Sequence, residues 1–400
     1  MTDPLRILVI GPGAAGASDA LRFEAMIPAL AGHGVELVNW TPPEPAAGND
    51  AFDAVEAAVG WADVLVLRRF YRTWHACLAC RLRTLDTAEA VSHGATSGHS
   101  VVLAPYFALR PLVGLLETEP GALGKRAIVY DTDDDVFSAD LPPGAEDFLE
   151  RDLVGRILGL ADLVTVSTPV LAERLEQRTT APIRVIRNAV DPAWYEAGRP
   201  DGAADAPGFP RVVYHGAPIR WRDYELARPG VDAVAAEIGT LRRVWLGADA
   251  AQLAGSMDEV RPWVGGVPEF AASLVAARPD IGLAPLQDTP YNRARSELHW
   301  LEYALAGAPT IVSGLAGPNP YDVVRDGVDG LVAQTPADWA RHVRALAASQ
   351  DLRAELAGRA RIRVLADYSV VSRAPEWADA YAWAAEHADS GHSRRVADAE

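Results

Sequence analysis

The sequence predicts two α/β domains in tandem, each a doubly wound, Rossmann-like parallel sheet. Three observations carry this. The 400 residues exceed what one ordinary hydrophobic core supports. Short apolar runs alternate with longer helix-period patterns over most of the chain, the signature of βαβ units. The alternation breaks once, at residues 198–210, where Gly, Pro, Asp and Ala replace any periodicity and read as a linker.

In chain order, strands are expected at 6–10, 36–40, 64–67, 100–104, 127–130, 163–166 and 184–187. Helical patterns lie between them, among them 18–32 and 169–178. The second of these has Thr168 as N-cap and Pro169 at its first position, where a missing N–H costs nothing. Beyond the linker the strands resume at 212–215, 243–246, 281–284, 310–313 and 330–333, with helices between. The resulting organisation is an N-terminal domain over 1–197, the linker, a C-terminal domain over 211–373, a helix at 374–388 returning to the first domain, and a frayed polar tail at 389–400.

Composition narrows the function. Hydrophobic residues make up 49% and charged residues 23%, a folded globular chain rather than a disordered one. Against 54 acidic side chains stand 37 basic ones, a net charge of −17, so a nucleic-acid partner is not expected. Among the basic residues Lys125 is the single lysine, so any bound anion must be held by arginine and backbone N–H groups. Cys77 and Cys80 form a CxxC beside His75, but no second ligand pair accompanies them, and two small helix residues explain the spacing. The apolar stretch 101–116 is broken by Pro105, Arg110 and Pro111 and cannot span a bilayer. With no signal-peptide pattern before the first strand, the expected location is cytoplasmic.

Gly11-Pro-Gly13-Ala-Ala15-Gly16 matches GxGxxG between a strand and a helix. A dinucleotide enzyme needs an acid at the end of the second strand for the ribose, and this chain has Asn39-Trp40-Thr41 there. The motif is left as a glycine-rich turn that lets a ligand approach a helix N-terminus.

More specific signals come later. Residues 161–167 (ADLVTVS) before an amphipathic helix and 185–191 (VIRNAVD) form one set. Residues 280–286 (DIGLAPL), Ser296 through Leu301-Glu302-Tyr303-Ala304 to Gly307-Ala308-Pro309, and 324–332 (VRDGVDGLV) form another. Their order and separation resemble retaining GT-B glycosyltransferases of the large group called family 4. The resemblance covers most of 6–385 and implies two Rossmann-like domains facing across a cleft. It also implies a nucleoside-diphosphate sugar as co-substrate, no other cofactor and no required metal.

On the donor side, Ser296 reads as a hydroxyl N-cap and Gly307 as the C-cap of a helix carrying Leu298, Leu301 and Leu305, whose N-terminus suits a diphosphate. By the resemblance, Glu302 accepts hydrogen bonds from both ribose hydroxyls, and Gly13, Gly216, Ser296, Glu297 and Leu298 line the donor. The family's second glutamate, eight positions earlier, is Ala294 here, so sugar recognition departs from the common pattern. Its phosphate-gripping arginine falls at Ala217 and its lysine near Arg222, leaving Arg220 and Arg222 as the expected phosphate-binding and catalytic cations.

On the acceptor side the candidates are Ala15, Gly16, Arg22, Arg69 and the acids Asp131, Asp133 and Asp134. With Asp135, these acids could instead hold a divalent ion, as a strand-ending DxD does in GT-A enzymes, but a GT-A plan does not explain the second α/β half. Two rivals share the donor site: a non-hydrolysing nucleotide-sugar 2-epimerase, and a catalytically silent nucleotide-sugar-binding partner. A homodimer is allowed for. The eleven tryptophans are expected to pack rather than to stack on sugars.

Overall fold

A computed structural model describes residues 3–10, 22–40, 57–58, 60–68, 126–141, 151–196, 210–216, 220–247, 255–262, 264 and 266–397, with side chains to 388. The chain divides into two compact units, Met1–Arg187 with Arg373–Glu400, and Asn188–Ser372.

The first unit holds a parallel sheet of β1 (Leu5–Ile10), β2 (Val35–Trp40), β3 (Val64–Arg68), β4 (Ala127–Thr132), β5 (Leu163–Val166) and β6 (Ile183–Val185), in the order β2-β1-β3-β4-β5-β6. Strands β3, β4 and β5 are buried along their whole length, as strands covered on both faces must be. The expected strand at 100–104 lies outside the described residues. The helix expected over 18–32 is, in its described part, a 3-10 turn at Glu24–Met26 followed by α1 (Ile27–Ala31). Pro28 sits in the first turn of α1; with no N–H to give, it starts a helix more readily than it continues one. After α2 (Arg151–Leu160) and β5, helix α3 (Pro169–Leu175) begins as expected, Thr168 Oγ1 accepting from Leu171 N at 3.2 Å. Strand β6 ends two residues short of expectation. Ile186 N still donates to Val166 O, but its own carbonyl turns to accept from Arg22 Nη1 at 3.0 Å.

The second unit opens at α4 (Pro192–Glu196), whose preceding Val190 exchanges backbone hydrogen bonds with Tyr368 and Val370. Its parallel sheet comprises β7 (Arg211–His215), β8 (Arg242–Leu246), β9 (Glu259–Arg261), β10 (Ile281–Ala284), β11 (Thr310–Ser313) and β12 (Leu331–Ala333), ordered β12-β11-β10-β7-β8-β9. Sequence reasoning has no strand at β9. It is three residues long with one apolar side chain, an edge strand held by Arg261–Glu259 and Arg211–Glu259 pairs rather than by a hydrophobic run. Helices α5 (Trp221–Tyr224), α6 (Arg228–Ile238), α7 (Val267–Ala276), α8 (Pro290–Arg293), α9 (Leu298–Ala306), α10 (Pro336–Ala348) and α11 (Gln350–Asp367) complete it. The chain leaves β7 toward β8 and β9, then returns to β10 on the other side of β7. The C-terminal ends of β7 and β10 therefore form the topological switch point, where open α/β sheets bind ligands.

Aromatic packing fills the unit behind this point. Tyr214 meets Trp245 edge-on at 4.5 Å, and Trp245, Trp300 and Trp339 are buried, the packing use expected of tryptophan. Gly282 in β10 is a glycine because Tyr303 of α9 lies against it. A Cβ there would fall 2.4 Å from the Tyr303 ring, whose hydroxyl donates to Val213 O at 2.8 Å. Gly282→Ala is expected to destabilise the second unit by about 1–3 kcal/mol, the usual cost of overpacking, read from urea denaturation.

The last helix, α12 (Val370–Ala397), is longer than expected at both ends and carries Pro375 in its second turn. The segment from 389, expected to fray, continues the helix. In the first unit its Trp377 packs edge-on against Phe23 at 5.8 Å and its Asp379 pairs with Arg184 at 2.7 Å.

Candidate active site

At the end of β7 the side chains alternate. Tyr214 points into the core, and its hydroxyl donates to Arg220 O at 2.9 Å, tying Arg220 to the strand. His215 faces the other way and is buried. Gly216 must lack a side chain: a Cβ would stand 2.8 Å from Arg220 Cβ. Arg220 Nη1 donates to Asp223 Oδ2 at 3.0 Å and to Asn292 Oδ1 at 3.2 Å. The other Asp223 oxygen accepts from Gln287 N at 2.9 Å and Asn292 Nδ2 at 3.2 Å. Arg220 is thus fixed and neutralised by a built network. Arg222, its expected companion, is exposed, its guanidinium 5.6 Å from the Trp221 ring. The structure therefore separates the two arginines that the sequence pairs.

The segment after β10 supplies the other wall. Thr289 caps α8 by accepting from Asn292 N at 3.2 Å, and Ala294 through Glu297 then lead into α9. Ser296 is not the N-cap of α9, contrary to expectation. Its hydroxyl accepts from Asn188 Nδ2 at 3.0 Å, and Glu297 occupies the cap position without a side-chain cap bond. The first N–H groups of α9 are left without a capping side chain. Gly307 closes the helix in the left-handed conformation at φ 86°, as the sequence indicates.

Helix α9 turns Glu302 inward; a solvated glutamate is ruled out by its 7% exposure. Its Oε2 lies 3.3 Å from His215 Nε2, and His299 sits one turn earlier with its ring 4.3 Å from that of His215. Burial pushes the Glu302 carboxyl up to about 8, Arg295 pulling against it. Burial likewise lowers His215 to about 3, and it lowers His299 well below the usual histidine range, with the charges of His215, Arg295 and Arg220 adding to the effect. At neutral pH the cluster is two neutral imidazoles beside a neutral carboxyl. Ligating atoms of the three lie within 4.8 Å of one another, a spacing a divalent ion could use. His215 Nε2, His299 Nδ1 and the buried Tyr195 hydroxyl of α4 have no hydrogen-bond partner among the described residues. Tyr195 feels the charge of Glu302, which places it at the same cluster. Buried polar atoms are rarely left unmade, so several around one carboxyl mark a place shaped for a ligand's hydroxyls.

Sequence reasoning found Glu302 but missed His215, His299, Tyr195 and Arg295. A signal existed for two of them. His215 ends the first strand of its domain, and His299 stands three residues before Glu302, hence on one helix face.

The acceptor-side residues of the first unit behave differently. Arg22 and Asp131 form a sealed ion pair, with Arg22 Nε donating to Asp131 Oδ1 at 2.8 Å and both side chains at zero exposure. Arg68, the last residue of β3, lies 3.6 Å from Asp131 and 3.8 Å from Asp133 and packs over Phe23. Asp135 pairs with Arg174 at 3.1 Å. Asp134 is half-buried. The acids at 131–135 form no metal-ligand group among the described residues; Asp131 and Asp133 share Arg68, and Asp135 pairs with Arg174. Gly13, Ala15, Gly16, Arg69, Cys77, Cys80 and Ala217 lie outside the described residues.

Residues 203–379, just under half the chain, match the glycosyl transferase-like family. In structure the chain is similar to Anabaena Alr3699/HepE in complex with UDP (TM-score 0.57, 14% identity, covering 94% of this chain and 98% of that one). It is also similar to sucrose-phosphate synthase from Thermosynechococcus elongatus (0.60, 15%, 95% and 98%). A third likeness is to an alpha-glucosyltransferase in complex with UDP and a 13-mer DNA (0.61, 10%, 95% and 100%). The chain has the GT-B fold. No curated protein matches it by sequence. At these identities the likeness to solved structures is one of fold, and it agrees with the two six-stranded parallel sheets. The GT-A plan is thereby set aside. The glycosyl transferase-like half of this GT-B chain is the unit that holds the Glu302 cluster. Among the described residues no helix is long and apolar enough to cross a membrane.

Proposed function

We propose that this GT-B chain is a retaining glycosyltransferase. It takes a sugar from a nucleoside-diphosphate sugar bound by the second unit and passes it to an acceptor hydroxyl bound by the first. The observation that carries the reading is the set of buried, unpartnered polar atoms around Glu302 at the switch point of the glycosyl transferase-like half. The two carboxyl oxygens of Glu302 match a vicinal diol, as in the ribose, and His215 Nε2 at 3.3 Å stands where it can share one hydroxyl. HepE also binds UDP-glucose in its crystal structure, which supports a UDP-sugar as the first donor to try.

Breaking the bond from sugar to diphosphate leaves negative charge on the departing phosphate. The uncapped N-terminus of α9, Gly216 and the arginines supply the stabilising field. A divalent ion at His215, His299 and Glu302 would meet the charge of Arg295, which acts on both His299 and Glu302 and opposes it. The reading is accordingly of metal-independent transfer in the cytoplasm. Release of UDP from UDP-glucose, followed with and without acceptor sugars, tests it. EDTA is expected to leave the rate within about twofold, whereas complete loss restored by Mg²⁺ or Mn²⁺ would refute the metal-independent mechanism. Product formed from donor alone would favour a 2-epimerase.

A further inference from the structure

The family's phosphate-gripping lysine has no lysine counterpart here, and the structure does not hand its task to the nearest arginines. Arg220 is already neutralised by Asp223 at 3.0 Å and shared with Asn292. Arg222 is exposed on the outer side of a short helix, beside its own neighbour's indole.

A third arginine remains. Arg295 lies in the four-residue turn between α8 and α9, directly before the uncapped N-terminus of α9. It is half-buried, and among the described residues its guanidinium makes no ion pair and no hydrogen bond. Its charge nevertheless acts on Glu302 and His299 on α9, Tyr214 on β7 and Tyr321 in the turn after β11. Asp223 is engaged by Arg220, and Arg295 forms no ion pair with a carboxylate among the described residues, acting on the Glu302 carboxyl only through its charge. In a chain of net charge −17 this is a local, uncompensated positive centre. Two buried imidazole nitrogens of the Glu302 cluster, His215 Nε2 and His299 Nδ1, lack partners as well. A partly buried cation without a counter-ion, next to free helix N–H groups, awaits an anion.

We propose that Arg295 is a catalytic residue that binds the diphosphate of the donor and stabilises the nucleoside diphosphate as it leaves. The inference rests on the donor-binding reading above. The planar guanidinium can take two phosphate oxygens through a rigid fork, where a lysine would act as a point charge with freely rotating donors. As the bond between the anomeric carbon and the phosphate oxygen breaks, the electron pair stays with the diphosphate, and Arg295 meets the charge where it grows. The position carries its cation inside the segment after β10 rather than after β7, so the grip reaches the phosphates from the opposite wall.

The test compares a diphosphate with a monophosphate. Dissociation constants for UDP, UMP, GDP and GMP are measured by calorimetry on wild type, Arg295→Gln and Arg295→Met, with ligand-free thermal unfolding to establish that each variant folds. Wild type is expected to prefer the diphosphate, and both variants to lose most of that preference while holding the monophosphate within about threefold. With donor and acceptor, kcat should fall about 10²–10³-fold with a smaller change in KM, the size seen when one stabilising donor is removed from a developing anion. An unchanged ratio of monophosphate to diphosphate affinity in a folded variant overturns the assignment of Arg295 alone. A wild type that binds no nucleotide overturns the donor reading beneath it. The methionine variant keeps the apolar stem, so failure of the glutamine variant to fold leaves the comparison intact.

Discussion

Arg22→Met is expected to destabilise the first unit by about 3–5 kcal/mol, the cost of leaving one member of a buried ion pair without the other. The magnitude follows from what Arg22 holds. Its Nε and Nη2 both donate to Asp131, at 2.8 and 2.5 Å, and its Nη1 donates to Ile186 O at 3.0 Å. The guanidinium also lies 4.6 Å from the Trp377 ring of α12. One side chain therefore ties β4, the end of β6 and the C-terminal helix together. Burial opposes its charge, and Asp131 more than restores it, so the Arg22 pKa is raised and the pair stays ionised. Removing the cation strands the Asp131 carboxylate with Thr165 Oγ1 at 2.7 Å and the more distant Arg68. The double change Arg22→Met with Asp131→Leu should cost less than Arg22→Met alone, since a buried pair replaced by apolar residues of similar volume is often near neutral. Two units give two transitions, so urea denaturation should be followed by probes in each. A loss under 1 kcal/mol for the single variant would mean that the pair contributes little to the fold and leaves room for an acceptor role at Arg22.

Glu302→Gln is expected to separate stability from binding. The carboxyl titrates near 4.5 in the unfolded chain and is held up at about 8 in the folded one. A raised carboxyl contributes stability that is complete below 4.5 and disappears as pH rises toward 8. His215 acts at the other end: lowered from 6.5 to about 3, its contribution is complete above 6.5 and lost as pH falls toward 3. Ligand-free wild type should therefore lose stability between pH 5 and 8 through Glu302, and the glutamine variant, which cannot ionise, should lose less. At pH 8 the variant should unfold at higher temperature than wild type. Its nucleotide affinity should nonetheless fall by roughly 10–100-fold, because the ribose hydroxyls favour the ionised carboxylate on binding, a state with two acceptor oxygens that an amide cannot reach. A residue with a purely structural role would not improve stability and weaken binding together.

The fold was legible because its parallel strands are continuous apolar runs. Strands β3, β4, β5, β10 and β11 are buried from end to end, and their shortness and bounding turns set them apart from buried helices. Strand β9 was not legible, being an edge strand of Glu-Val-Arg whose stability comes from ion pairs. Glu302 was legible through the motif that surrounds it. Its partners were not, because they come from elements far apart in sequence: His215 from β7 and Tyr195 from α4. The different surroundings of Arg220 and Arg222, both expected to bind phosphate, were illegible for a similar reason. Nothing in the local sequence says that Asn292, seventy-two positions on, will share Arg220 with Asp223. Ser296 misled because a serine before an apolar pattern is a good N-cap, and Asn188 claims its hydroxyl instead.

The central claim, that the second unit binds a nucleoside diphosphate through Glu302, is tested most directly by thermal unfolding of wild type and Glu302→Gln with UDP at one hundred times the wild-type dissociation constant. Wild type should gain about 2.7 kcal/mol, and a variant weakened a hundredfold only about 0.4 kcal/mol. Equal stabilisation of the two proteins would contradict the account.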